Sequence, residues 1–369
     1  MSAREYFEVV LDQYGYTFEN PPPKEIVDHL KTQYADWMPA FCYEEPRSDY
    51  CEGVQSYYMY RIALAPNVLF VVLFALSLIS FLATYAATRR GLAFNIAMGL
   101  GVITEIIGYI GRIMSWGNQW EEVGFMIQVC ALTIGPAFLV AGIYLCIRQI
   151  VTAFGPDNSR IPPAWYTRIF IPCDLTSLIL QAVGGALASV ANHRREPTHI
   201  GDNVMIAGLA FQVLTMLLFM LVAADFALRT HLRTRHAHLP NLSVALDNHP
   251  AMVRLRASRR FKAFLSALAL ATVCVFVRCV FRVVELNGGW TGPLMGRQDL
   301  FVGFEGVMIA AAVLALNLSH PALCSKELLE PPPRREIVGR TPREEPCFKM
   351  VNFVLDDNED SVHETTHRG

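Results

Sequence analysis

Seven stretches of this chain are apolar over about the 20 residues that a helix needs to cross a ~30 Å hydrocarbon core. They cover residues 65–87, 93–114, 123–147, 169–191, 204–228, 264–286 and 300–318. This pattern predicts an all-α, seven-helix membrane bundle over residues 61–322. Residues 1–60 are polar, with a proline turn at Pro21–Pro23 and scattered acids and aromatics compatible with short helices. From about Cys324 the chain becomes proline-rich and then acidic, with Asp356, Asp357, Glu359 and Asp360 close together. Residues 323–369 are therefore expected to form a disordered cytoplasmic tail.

Composition agrees with the pattern. Hydrophobic residues make up 53% and charged ones 17%, against about a quarter charged in soluble domains. The net charge of -2 gives no reason to expect a nucleic-acid partner. Where the basic residues lie matters more, because they set topology. Arg89, Arg90, Arg148, Arg160, Arg168, Arg229, Arg233, Arg235, Arg254, Arg256, Arg259, Arg260 and Lys262 fall in one set of alternate loops. Arg194, Arg195 and Arg297 fall in the other, with Arg112 at a helix end. The richer set is expected to be cytoplasmic, which places the N-terminus outside and the C-terminus inside. No basic n-region followed by a short apolar run opens the chain, so the first apolar helix is expected to act as the insertion signal. Trp116, Trp120, Trp290 and Trp165 lie where interfacial anchors belong. Asn241 and Asn317 begin sequons, one in a cytoplasmic loop and one inside a helix, and neither is expected to be glycosylated.

The nine cysteines contain no CxxC pair, so no metal framework is expected. Cys130, Cys146, Cys173, Cys274 and Cys279 fall in apolar runs and read as small hydrophobic residues. Cys42 and Cys51 are close enough to bridge if their segment lies outside the cell. All ten histidines lie in loops, tails or helix ends, which disfavours a membrane zinc hydrolase. There is no GxxxxGK[ST] loop and no GxSxG elbow. The expectation is a protein that is not an enzyme, uses no cofactor and does not hydrolyse ATP itself.

The polar residues inside the apolar stretches carry the functional reading. Arg278, Arg282 and Glu285 stand at i, i+4 and i+7 on one face of the sixth helix. Ionisable residues at membrane depth must face protein or water. In the second helix Glu105, Gly108, Tyr109 and Arg112 also share one face, with the order of charges reversed. At 1.5 Å per residue, Glu105 and Arg278 both stand roughly 20 Å above the inner boundary, and Arg112 and Glu285 roughly 30 Å. If these helices are neighbours, Glu105 meets Arg278 and Arg112 meets Glu285, leaving Arg282 for Glu305 of the seventh helix. Gln128, Gln181 and Gln212 converge on the outer half, and Asp174, Ser177 and Gln181 share a face with Asp174 nearer the cytoplasm. Gly108, Gly111, Gly184 and Gly185 permit close helix approach, and Pro136 is placed to kink the third helix.

Buried ion pairs can serve helix register alone. Six charged groups converging from three helices exceed what packing requires, so a polar cavity open to the outer leaflet is the favoured reading. It would hold an amphiphile's head group while the tail runs between helices.

Several motifs in order carry a resemblance. They are ExxGYxxR from Glu105 to Arg112, Gln128 with Pro136 and Tyr144, and DLTSLILQAVGG from Asp174 to Gly185. Arg278, Arg282 and Glu285 follow, then Phe304 with Glu305, Asn317, and His320 with Pro321. Together they resemble the fungal lipid-translocating exporter family of seven-helix membrane proteins, over about residues 60–322. The resemblance implies a plasma-membrane or endomembrane protein linked to lipid movement and to resistance to toxic amphiphiles. It brings no settled transport mechanism.

The expected function is translocation or export of amphipathic lipids, sphingoid long-chain bases among them. Glu105, Glu285 and Glu305 would offer carboxylates to a cationic amine, while Arg278 and Arg282 hold them ionised or engage a phosphate. Tyr109, Arg112, Gln128, Asp174, Gln181 and Gln212 complete the expected site, with Asp174 as an entry or release point. The alternative is a seven-helix lipid or stress sensor that engages cytoplasmic partners through residues 229–262 and the tail. For that basic run, positive-inside topology is the simpler explanation.

Overall fold

A computed structural model describes residues 2–154, 159–194, 196–235, 250–289 and 292–324. The expectations for Trp290, Arg195, Asn241, the middle of the loop 229–262 and the tail from residue 325 lie outside the described residues.

The N-terminal segment folds on a core of its own. Helix α1 (Ala3–Gln13) starts with a capping box, in which Ser2 Oγ accepts from the Glu5 amide and Glu5 accepts from the Ser2 amide. Glu44 secures the same first turn by accepting from the amides of Ala3 and Arg4. Helices α2 (Lys24–Gln33) and α3 (Met38–Glu44) and a 3-10 turn (Asp49–Cys51) follow. They bury Phe7, Leu11, Leu30 and Phe41 around a Cys42–Cys51 disulfide. The bridge that the spacing left open is thus formed.

Seven helices are long and apolar enough to cross a membrane. They are α4 (Leu64–Thr88), α5 (Leu92–Gly117), α6 (Glu122–Phe154), α7 (Pro163–His193), α8 (His199–Arg235), α10 (Arg259–Asn287) and α11 (Gln298–Cys324). A short helix α9 (Pro250–Ala257) precedes α10. No strand is present among the described residues. The protein is an all-α, multi-pass membrane protein. Several helices outrun their apolar stretches; α8 has 37 residues where hydropathy marks only 204–228. An apolar run marks what a bilayer would cover, and a helix can continue into its polar flanks. Likewise α6 runs on through Pro136, and α7 through Pro172.

In α4 the alternation of faces is plain. Phe70, Phe74, Ser77 and Phe81 are buried, while Leu69, Val72, Leu76, Ile79 and Leu82 point outward. Apolar residues all round mean that the outward set suits lipid. The helices form a ring in the order α4, α5, α6, α7, α8, α10, α11 and back to α4, with α6 also touching α8 and α10 on the inside. Glycines set a close contact between α7 and α8. A Cβ at Gly184 would strike the Met205 backbone, and one at Gly201 would strike that of Ala188. Helix α11 contains a π-helical segment, Phe301–Val307, before Met308–Leu318 resumes α-geometry.

We call the end of the bundle that carries the N-terminal segment the roofed end. Asn118 and Trp120, between α5 and α6, donate to the carbonyls of Tyr43 and Gln55 there. Trp120 also packs on the core of the N-terminal segment.

Candidate functional site

Beneath this roof lies a cavity of about 810 Å³. Its walls come from α6 (Met126, Val129, Cys130), α7 (Leu178, Ala182, Ala186) and α8 (Met205, Leu209). Pro39, Gln55, Ser56, Tyr57 and Trp120 border it from above. The mostly apolar lining also carries polar groups, Gln181 and Arg282 together with Thr133, Ser189, Asn192 and Thr198. Gln181 donates through Nε2 to Gln212 Oε1 at 3.1 Å, while its own buried Oε1 has no partner. Arg282 donates through Nη1 to Glu285 Oε2 at 2.6 Å. Arg282 therefore borders the cavity with its charge balanced by its own helix, while the Gln181 oxygen is buried and unpaired.

A smaller cavity of about 20 Å³ adjoins, bordered by Tyr58, Tyr60, Arg112, Gln128, Arg282 and Glu285. Arg112 is buried here without an ion pair among the described residues. It donates to Asn67 Oδ1 (3.0 Å), the Tyr60 hydroxyl (3.0 Å) and Gln128 Oε1 (3.3 Å). Its guanidinium also lies 3.9 Å from the Phe301 ring centroid, within cation–π range. Tyr58 contacts Gln128 Oε1 at 2.6 Å and Ser115 Oγ at 3.1 Å. Burial pushes the Tyr58 phenol up to about 12.

Deeper in the bundle a third group is closed off. Arg278 donates to Glu305 Oε1 from Nη2 at 2.6 Å and from Nε at 3.1 Å, and from Nη2 to the Leu132 carbonyl. Glu105 lies near enough to feel both charges, yet both its oxygens lack hydrogen-bond partners. Asp174 is held separately, by the Tyr144 hydroxyl (2.9 Å) and Thr215 Oγ1 (3.1 Å).

The expected pairs Glu105–Arg278 and Arg112–Glu285 do not form. In the ring α5 and α10 are not neighbours: α6 separates them on one side, α4 and α11 on the other. Arg278 takes Glu305 across the α10–α11 contact, and Arg282 takes Glu285 within α10. An equal height along two helices does not make those helices adjacent. Of the expected site residues, Gln181 and Arg282 line the large cavity, with Gln212 behind Gln181. Arg112, Gln128, Arg282 and Glu285 line the small one. Glu105, Tyr109, Arg278, Glu305 and Asp174 border neither.

Sequence reasoning passed over Asn67, Tyr58 and Tyr60, which surround Arg112, and Thr215, which holds Asp174. The tyrosines Tyr57, Tyr58 and Tyr60 just before α4 were the available signal. Cys130, read as a small hydrophobic residue, is exposed and lines the cavity.

A family model described as RTA1 like protein matches residues 98–327. The chain belongs to the RTA1-like family. The match starts inside α5 and so omits α4, where the motifs had suggested a likeness from about residue 60. This RTA1-like chain is 33% identical over 249 residues to the sphingoid long-chain base transporter RSB1 of Saccharomyces cerevisiae (strain Lalvin EC1118 / Prise de mousse), covering 63% of this chain and 65% of that protein. Protein RTM1 of Saccharomyces cerevisiae is 27% identical over 221 residues, covering 59% of this chain and 65% of that one. Protoporphyrin uptake protein 1 of the same species (strain ATCC 204508 / S288c) is 25% identical over 219 residues, with the same coverage. The chain thus spans about 65% of the length of these curated relatives. No solved structure matches.

Proposed function

We propose that this RTA1-like protein translocates amphipathic lipids, and that the large cavity holds the molecule in transit. One observation carries the reading: a largely apolar cavity of about 810 Å³ bordered by Arg282 and by Gln181, whose buried carbonyl is unpartnered. That volume lies in the ordinary range for small-molecule sites, roughly 300–1,000 Å³. The apolar walls suit a hydrocarbon tail. Gln181 Oε1 suits a hydroxyl or ammonium donor, and Arg282 suits a hydroxyl or phosphate oxygen.

A 2-amino-1,3-diol head with one long chain fits this donor and acceptor pattern. The relatives named for sphingoid long-chain bases and protoporphyrin support amphiphiles as the substrate class. Glu285 would balance Arg282 so that a cationic head is not repelled. Glu105 and Glu305 border neither cavity, so in this reading they act behind the site and do not bind the amine. The same holds for Arg278, Tyr109 and Asp174, while Arg112, Gln128 and Gln212 set the positions of the groups beside the cavity.

The proposed topology follows the basic loops, with the roofed end outside and the C-terminus in the cytoplasm, most naturally at the plasma membrane. No ATP hydrolysis by the chain itself is proposed, in keeping with the missing phosphate-binding loop.

The test is flux of a labelled long-chain base across vesicles reconstituted with the full chain. Val129→Trp, which fills the cavity, and Gln181→Leu, which removes the unpaired acceptor, should each slow flux at least tenfold while protein yield and melting are kept. Wild-type flux in a folded Val129→Trp protein would overturn the reading.

A further inference from the structure

The group at Glu105 is isolated from both cavities and carries more unsatisfied polar atoms than any other place in the described bundle. Glu105, Tyr109, Arg278 and Glu305 are all 0% exposed. After the Arg278–Glu305 pair is made, both Glu105 oxygens, the Tyr109 hydroxyl, Arg278 Nη1 and Glu305 Oε2 remain without hydrogen-bond partners. Space for the Glu105 carboxyl is made by α6, where a Cβ at Gly135 would sit 2.6 Å from Glu105 Oε1. The π-helical segment that carries Glu305 brings Gly306 against the Tyr109 hydroxyl, 2.9 Å from where a Cβ would stand. Such segments recur at functional positions because they break the regular backbone ladder.

The charges here do not balance. Glu105 comes from α5, Glu305 from α11 and the guanidinium of Arg278 from α10. The groups that α5 and α10 add are Tyr109 and the thiol of Cys279. Helix α6 contributes the Leu132 carbonyl and the bare face of Gly135, and α4 contributes Phe70 and Phe74 against Tyr109. Arg112, two turns further along α5 from Glu105, is occupied by Asn67, Gln128 and Tyr60. Two carboxyls are therefore buried with one guanidinium in a site closed to solvent, and that guanidinium is bonded to Glu305 alone. An uncompensated charge buried this way is costly, and a single bound proton removes it.

We infer that Glu105 and Glu305 together hold one proton, so that the core of the bundle contains a proton-binding site distinct from the amphiphile cavity. In the arrangement seen, Glu305 is the carboxylate that faces Arg278 and Glu105 is the acid. If Arg278 turned to Glu105, the proton would pass to Glu305, with one O–H bond broken and one formed and no other reactant needed. The two carboxyls are thus alternative ends of one exchange.

The test is infrared spectroscopy of the full chain in lipid nanodiscs at neutral pH, and it does not depend on the transport reading. Wild type should show a carboxylic-acid C=O band from this pair. Glu105→Gln removes the acid, so the band goes. Glu305→Gln leaves Arg278 without its counter-charge, and Glu105 then ionises to replace it, so the band goes there too. Each variant keeps one carboxylate and one guanidinium and should melt near the wild-type temperature. Survival of the band in either variant would overturn the inference, because the carboxyls would then titrate independently. A melting temperature raised markedly by Glu105→Gln would also overturn it, by showing that Glu105 is ionised in the wild type. Loss of the wild-type band on adding sodium at constant pH would assign the site to a metal cation and overturn it equally.

Discussion

Arg278 of α10 is tied to Glu305 of α11 at 2.6 Å with neither side chain exposed to more than 1%. Removing one partner of such a pair leaves a bare charge in a dry core, at a cost of about 3–5 kcal/mol. Arg278→Met is therefore expected to lower stability on that scale, read from chemical unfolding in micelles. Glu305→Gln should cost far less, because Glu105 stands ready to replace the lost carboxylate. Equal losses in the two variants would contradict this asymmetry.

The contact between α7 and α8 depends on the missing side chain of Gly201, since a Cβ there falls on the Ala188 backbone. Overpacking of this kind costs about 1–3 kcal/mol, and backbone cannot move aside as a side chain can. Gly201→Val should reduce folded yield and thermal stability. Gly185→Ala is the control, because its Cβ would meet only Met205 Sδ, at 4.0 Å. It should melt like wild type.

Cys130 is exposed on the wall of the large cavity, whereas Cys146, Cys274 and Cys279 are buried. A small maleimide should modify Cys130 first among these, as mass spectrometry of peptides would show. A long-chain amphiphile should slow that reaction by filling the cavity. Labelling at an unchanged rate under saturating amphiphile would place the ligand elsewhere.

The Cys42–Cys51 bridge closes a short loop in the N-terminal segment, with a sequence separation of 9. The chain-entropy estimate for a loop this size is roughly 2–3 kcal/mol. Replacing both cysteines by Ala should raise hydrogen exchange in residues 3–51 while leaving α4 to α11 protected. The segment has its own aromatic core, so the loss should stay local.

Tyr58 is pushed up to about 12, chiefly by burial, against the opposing effects of its Ser115 hydrogen bond and the Arg112 charge. An unfolded tyrosine titrates near 10. The folded chain holds this proton more tightly, so the stability it contributes is complete below about pH 10 and is lost as pH rises toward 12. Melting followed from pH 8 upward should show that decline. Tyr58→Phe should flatten it while lowering stability at neutral pH through the lost contact with Gln128.

By itself the sequence determined the membrane fold and the polar inventory. Runs near the length of a bilayer crossing specify seven helices through the cost of unpaired backbone in hydrocarbon, and that cost is local to each run. The same reasoning picked out Arg112, Arg278, Arg282, Glu105, Glu285 and Glu305 as residues that must face inward, and all are buried. What it could not decide was who meets whom. Period and depth fix height and facing on one helix, but adjacency belongs to the ring, where α6, α4 and α11 separate α5 from α10. Tertiary structure alone therefore paired Arg278 with Glu305, left Glu105 without a partner, and set Gln181 and Arg282 on the border of a largely apolar cavity. It also brought the N-terminal segment over that cavity, through contacts between residues 65 to 75 positions apart that no local pattern encodes.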